Sequence, residues 1–150
     1  MKITDAISLV LKGKEHSHIL SIAPDQSVYE AIEMMAEYDI GALIVLANQR
    51  LVGILTERDY ARKGILMGHP SQQTLVREIM TTPVHFVTAL HTVDECLALM
   101  TQHRVRHLPV LRDEVVIGLV SIGDLVKWVI SGQAQTIQAL EGYITGAYPG

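Results

Sequence analysis

Two short stretches combine a glycine, a hydroxyl and a carboxylate at the same spacing: Gly53-Ile54-Leu55-Thr56-Glu57-Arg58-Asp59 and Gly118-Leu119-Val120-Ser121-Ile122-Gly123-Asp124. Each follows an apolar run that reads as a strand and opens a segment with helical pattern, so Thr56 and Ser121 stand at candidate N-caps. A helix start offers unpaired N–H groups and the positive end of a dipole, where a phosphate can settle with the hydroxyl as a further donor. The aspartate, about one turn on, accepts hydrogen bonds and suits a vicinal diol. Ribose on Asp59 or Asp124 with phosphate near Thr56 or Ser121 would describe a nucleotide. The same pattern also describes an ordinary capped helix. Capping alone would admit Asn or Asp at the hydroxyl position and Glu further in, and the recurrence of glycine, hydroxyl and aspartate at matching places favours a ligand.

The two stretches lie 65 residues apart, and that offset carries outward without a gap. Ser27-Val28-Tyr29-Glu30 falls on Thr92-Val93-Asp94-Glu95, each the sequence form of a capping box. Behind the caps, Val28, Ala31, Ile32 and Met35 recur at helical spacing, as do Val93, Cys96, Leu97 and Met100. Leu43-Ile44-Val45-Leu46 and Leu108-Pro109-Val110-Leu111 read as buried strands. Polar turns at Asn48-Gln49-Arg50 and Arg112-Asp113-Glu114 lead into second strands that pair back as hairpins. Each repeat thus reads strand, helix, strand, strand, helix, with first strands near Ile19 to Ile22 and Val84 to Val87. The closing helices span roughly Glu57 to Lys63 and Ile122 to Ile130, the second resuming at Thr136 to Tyr143. Pro109 at a strand position implies an edge or a ligand-facing irregularity. A short helical turn is expected at Val76 to Met80, and Ile3 to Leu11 occupies a comparable place at the N-terminus.

One such unit is too small to bury its own sheet and helices, so the copies are expected to pack together. The 150 residues, 49% of them hydrophobic, suffice for that. A single cysteine, Cys96, excludes an internal disulfide and reads as a buried thiol, since its repeat counterpart is Ala31. No signal-peptide pattern opens the sequence and no apolar run nears the roughly 20 residues of a membrane helix, so a cytoplasmic protein that does not enter membranes is expected. A net charge of −4 argues against nucleic acid as a partner. The pairs His16/His18 and His103/His107 lack acidic or thiol companions, and no metal is expected.

The glycine-hydroxyl-aspartate stretches, together with Arg106-His107-Leu108-Pro109-Val110, resemble the tandem cystathionine-beta-synthase-type (CBS) domain family, whose pairs are called Bateman modules. The resemblance covers about Ile19 to Ile130. It implies an α/β (α+β) fold of two repeats, each a small three-stranded sheet with two helices, packed as a pseudo-twofold pair. The implied division is 1–18, an N-terminal helical segment; 19–66, the first repeat; 67–83, a linker; 84–131, the second repeat; and 132–150, a C-terminal helical tail.

By the same resemblance the aspartate holds the ribose hydroxyls and the Thr or Ser lies near ribose or phosphate. The first adenosine site would take Leu20, Ile40, Gly41, Ala42, Thr56, Arg58 and Asp59. The second would take His85, Val105, Arg106, His107, Pro109, Ser121 and Asp124. Gly41-Ala42 is small and neutral where Arg106-His107 is large and cationic, so unequal phosphate affinity is expected. Arg58 would supply charge in the first site, although Arg58, Arg62 and Lys63 also fit a solvated helix face. The ligand would be AMP, ADP, ATP or NAD(H), and the output a change of shape or of association in a regulatory, signal-transducing module. The family forms homodimers, for which Val126, Val129 and Ile130, or Ile137, Leu140 and Ile144, are candidate contacts. No enzyme constellation is indicated: the two aspartates belong to different repeats, and no nucleophile triad or Walker loop is present. A ligand-independent interaction domain that regulates an unknown protein partner is the alternative.

Overall fold

The computed structural model describes residues 4–14 and 19–132. Expectations that fall on His16, His18, Thr136 to Tyr143, Ile137, Leu140 and Ile144 lie outside the described residues.

The elements are α1 (Ile7–Lys12), β1 (Ser21–Ile22), α2 (Val28–Tyr38), β2 (Ala42–Ala47), β3 (Arg50–Thr56), α3 (Glu57–Asp59), α4 (Val76–Ile79), β4 (Val87–Thr88), α5 (Val93–His103), β5 (His107–Arg112) and β6 (Val115–Ser121). A last helix, α6, covers 122–132 of the described residues. Two three-stranded sheets form, ordered β1-β2-β3 and β4-β5-β6.

The local reasons repeat from copy to copy. Ser27 and Thr92 accept the N–H groups of Glu30 and Glu95 at 3.1 and 3.3 Å, capping α2 and α5. The reciprocal half of the box is made only at Thr92, whose N–H reaches Glu95 Oε1 at 3.1 Å; Glu30 is drawn instead to Gln26 Nε2 at 2.9 Å. Val28, Ala31 and Met35 are buried on α2, and Val93, Cys96 and Met100 on α5. Burial pushes the Cys96 thiol up to about 12, which makes it inert packing. Both helices end on a residue in the left-handed region, Asp39 (φ 53°) and Arg104 (φ 55°). The following N–H groups of Ile40 and Val105 then close back on Met35 and Met100 carbonyls at 3.0 Å each.

Strand β2 runs parallel to β1 and antiparallel to β3, with Leu43 opposite Leu55, Val45 opposite Gly53 and Ala42 opposite Thr56. The hairpins turn on residue pairs with positive φ, Asn48-Gln49 and Asp113-Glu114, as two-residue turns between twisted strands require. Pro109 is buried in the middle strand of its sheet rather than at an edge. Its neighbour β4 is two residues long against six in β5, so among the described residues most of β5 has no strand partner on that side and one missing N–H is tolerated.

The closing helix of the first repeat also departs from its pattern: after Asp59 the backbone widens into a π-helical turn, Tyr60–Ile65. Gly64 is buried there, and a Cβ on it would stand 3.0 Å from the Tyr60 ring, so the ring occupies the space a side chain would need.

The chain divides into two compact units that do not follow chain order. Of the described residues, one comprises 19–86 and 109–119; the other comprises 4–14, 87–108 and 120–132. Inside the first, the 74–77 segment is laced to the start of α2: Val28 N–H donates to Thr74 O at 2.8 Å, Val76 N–H to Gln26 O at 2.9 Å and Arg77 N–H to Pro24 O at 2.9 Å. Its core gathers Ile22, Val28, Ala31, Met35, Leu43, Val45, Leu55, Val76 and Ile79. Inside the other unit the N-terminal segment does the same for α5, with Ile7 N–H on His91 O at 2.8 Å and Val93 N–H on Asp5 O at 3.0 Å. Trp128 Nε1 of α6 donates to Asp5 at 3.1 Å and ties α6 into that unit. Each repeat is therefore completed by the short helical segment that precedes the other.

Candidate functional site

At the end of β3, Thr56 and Asp59 hold each other. The Asp59 N–H donates to Thr56 Oγ1 at 3.1 Å, and the Thr56 N–H donates to Asp59 Oδ2 at 3.0 Å. Ser121 and Asp124 repeat this at 3.1 and 2.8 Å. The residue entering the preceding strand adds a third shared contact. Gly41 O accepts the Glu57 N–H at 3.0 Å, and Arg106 O accepts the Ile122 N–H at 2.9 Å. Three N–H groups at each helix start are thus engaged by the protein itself. A ligand phosphate at either place would be met chiefly by the hydroxyl and by side-chain cations.

The surroundings of the two aspartates differ. Asp59 is buried, its side chain 8% exposed, and Oδ1 takes the Thr81 hydroxyl at 2.9 Å and the Lys63 ammonium at 3.2 Å. Thr81 is held in place by a two-way bridge to β3, with Thr81 N–H to Ile54 O at 2.8 Å and Ile54 N–H to Thr81 O at 3.1 Å. Gly53 makes this crossing possible, because a Cβ there would fall 2.5 Å from Met80 Sδ and 3.3 Å from Thr81 O.

Asp124 is more open, its side chain 23% exposed, and Lys14 donates to Oδ2 at 2.9 Å. Burial opposes its ionisation, but the Ser121 N–H and the Lys14 ammonium outweigh it and hold the carboxyl below the ordinary carboxylate value. No hydrogen bond to Asp124 Oδ1 forms among the described residues. His107 lies in the same environment; its burial lowers the imidazole pKa against the pull of Asp124, with Lys14 and Arg106 adding to the depression.

Of the residues expected at the first site, Gly41, Ala42, Thr56 and Asp59 come together through the Gly41–Glu57 contact and the Ala42–Thr56 register. Leu20 and Ile40 pack on the core of the same unit, and Arg58 is exposed one residue before Asp59. At the second site Arg106, His107, Ser121 and Asp124 share one unit, as does half-buried Val105. Exposed His85 and buried Pro109 fall in the other unit.

Three participants, Thr81, Lys63 and Lys14, escape a reading of the motifs. Lys63 is four residues beyond Asp59, a helical spacing that signals an ion pair. Thr81 and Lys14 lie 22 and 110 residues from their carboxylates and leave no local sign. Among the described residues no three His, Cys, Asp or Glu side chains gather as a metal site. His103 ends α5 and His107 begins β5, so the two do not share a helix face. No helix among the described residues is long and apolar enough to cross a membrane.

Comparison with known proteins follows the same outline. The CBS domain profile matches residues 2–64 and 76–131. The chain is 41% identical over 150 residues to CBS domain-containing protein CBSX3, mitochondrial, of Arabidopsis thaliana, an alignment covering 95% of this chain and 73% of that protein. A solved CBS-domain protein from Burkholderia ambifaria MC40-6 is 49% identical with a TM-score of 0.83, covering 86% of this chain and 96% of that one. The CBS domain pair of protein MJ0100, solved in complex with 5′-methylthioadenosine and S-adenosyl-L-methionine, shares the fold at a TM-score of 0.75 and 23% identity, covering 87% of this chain and 98% of that one.

Proposed function

Since this chain belongs to the CBS-domain family and carries two of its repeats, we propose that it is a regulatory module that binds an adenine nucleotide and signals by a change of conformation or association. The observation that carries this reading is the recurrence, in both copies, of a hydroxyl and an aspartate locked to each other's N–H groups at a strand-to-helix junction. An acceptor carboxylate fixed in this way meets a ribose diol without first having to be ordered. At the second copy, Ser121 and Asp124 face the sugar, and Lys14 and Arg106 attract the phosphate. His107, held neutral at pH 7, offers a hydrogen bond without adding charge. At the first copy Thr56 and Asp59 take the sugar, Arg58 the phosphate, and Leu20, Ile40, Gly41 and Ala42 the base. Val105, in the same unit as Asp124, is assigned to the base.

Adenosine compounds are named with the MJ0100 pair, a protein of the same fold, and this supports an adenosine-containing ligand such as AMP, ADP, ATP or NAD(H) here. No reaction is needed for such a role, since a nucleotide that favours one of two conformations shifts their populations. Val126 and Ile130, exposed on α6, and Val129 beside them are the contacts we assign to a homodimer. The three protein contacts already made by the Asp59 carboxylate are what favours the second reading, a ligand-independent domain that regulates a protein partner.

Thermal unfolding with AMP, ADP, ATP, NAD, NADH and S-adenosylmethionine separates the two readings. Selective binding raises the midpoint by mass action. A rise with at least one nucleotide is expected, and no rise with any of them favours the interaction domain.

A further inference from the structure

The two aspartates differ in how much of their hydrogen-bonding capacity is spent. An ionised carboxylate has about four lone-pair sites. At Asp59 three are taken, by the Thr56 N–H on Oδ2 and by the Thr81 hydroxyl and Lys63 ammonium on Oδ1. At Asp124 two are taken among the described residues, both on Oδ2, by the Ser121 N–H and Lys14. A cis-diol delivers two O–H donors. Asp124 Oδ1 can receive them as it stands, whereas Asp59 must first release Thr81. Thr81 is not a casual neighbour, because the bridge to Ile54 and the bare Cα of Gly53 hold its backbone against β3.

From this we infer that Thr81 is a specificity-determining residue whose hydroxyl occupies the diol position at Asp59, so that each chain binds one nucleotide, at Asp124. The inference deepens the nucleotide-binding reading and rests on it. Exchange of one charge-assisted hydrogen bond for another removes the net gain of the second, and the Asp59 site should be about tenfold to a hundredfold weaker than the Asp124 site. The contrast comes from equivalent segments. The short helical segment that completes the first repeat puts a threonine hydroxyl on its aspartate, and the one that completes the second puts a lysine there.

Isothermal titration of the full chain with AMP, and separately with NAD, tests it. The expected result is one equivalent per chain, lost in Asp124→Asn. Thr81→Val, which keeps the shape and removes the hydroxyl, should add a second equivalent, and Thr81→Ser should leave one. The added equivalent should disappear when Asp59→Asn is combined with Thr81→Val. Two equivalents of equal affinity in the unaltered protein, or a Thr81→Val titration indistinguishable from it, would overturn the inference while leaving nucleotide binding intact. Absence of heat with both compounds, together with a flat thermal series, would overturn the nucleotide reading and this inference with it. The wild-type stoichiometry decides the matter even if Thr81→Val does not fold.

Discussion

Asp59 and Asp124 occupy the same place in two copies of one motif, and their local bonding agrees to within about 0.2 Å. Their distant partners do not agree. Asp59 is closed by a threonine and a lysine of its own unit and is nearly covered, while Asp124 meets a lysine from the N-terminal segment and has one oxygen without a hydrogen bond among the described residues. A motif therefore specifies the acceptor and its orientation, and the neighbours decide whether that acceptor serves the fold or a ligand. On the proposed reading, Asp59 serves chiefly as a structural group and Asp124 as the receptive one.

That contrast can be broken most directly by stability. Asp59→Ala removes the reciprocal half of the capping box, the acceptor of the Thr56 N–H, and leaves the Thr81 hydroxyl without its acceptor and Lys63 without its counter-ion, which should cost about 2–3 kcal/mol in urea unfolding. Asp124→Ala, at a half-exposed position, should cost about 1 kcal/mol. Equal losses would erase the distinction. An effect smaller than that of Asp59→Ala is expected from Gly53→Ala. Its methyl group would collide with Met80 and press on Thr81 O, destabilising by about 1–2 kcal/mol. The same displacement draws the Thr81 hydroxyl away from Asp59, so a gain in nucleotide affinity at the first site should accompany the loss of stability.

The smallest effect concerns pH at the second site. Because burial lowers the His107 pKa in the folded state, the unfolded chain binds the proton more readily. Stability should therefore fall as pH drops from the unfolded value near 6.5 toward the folded one. His107→Gln should flatten that slope in unfolding curves collected between pH 7 and 5, and a slope unchanged by the substitution would place its origin elsewhere. Asp124 acts in a lower window. Its folded pKa is depressed, so its contribution is full above about 3.8 and is lost as pH falls through the folded value.

Much of the fold was legible because its signals are local. Caps at Ser27 and Thr92, apolar spacing from Val28 to Met35 and from Val93 to Met100, and the two hairpins all act within a few residues. The departures arose where packing overrode pattern. Glu30 left its capping role for Gln26, Pro109 entered a middle strand beside a two-residue neighbour, and the turn after Asp59 widened around the Tyr60 ring.

The amino-acid order by itself determined the duplicated motif, the reciprocal bonds within it and the shape of each repeat, since all of these depend on residues three or four positions apart or on strands joined by two-residue turns. Only the tertiary structure decided which helical segment completes which repeat, and so whether a threonine or a lysine lies against each aspartate. Contacts spanning 22 and 110 residues carry no periodic trace in the chain. They are selected by burial of Ile7 and Val10 in one unit and of Val76 and Ile79 in the other, a competition that exists only once both cores have formed.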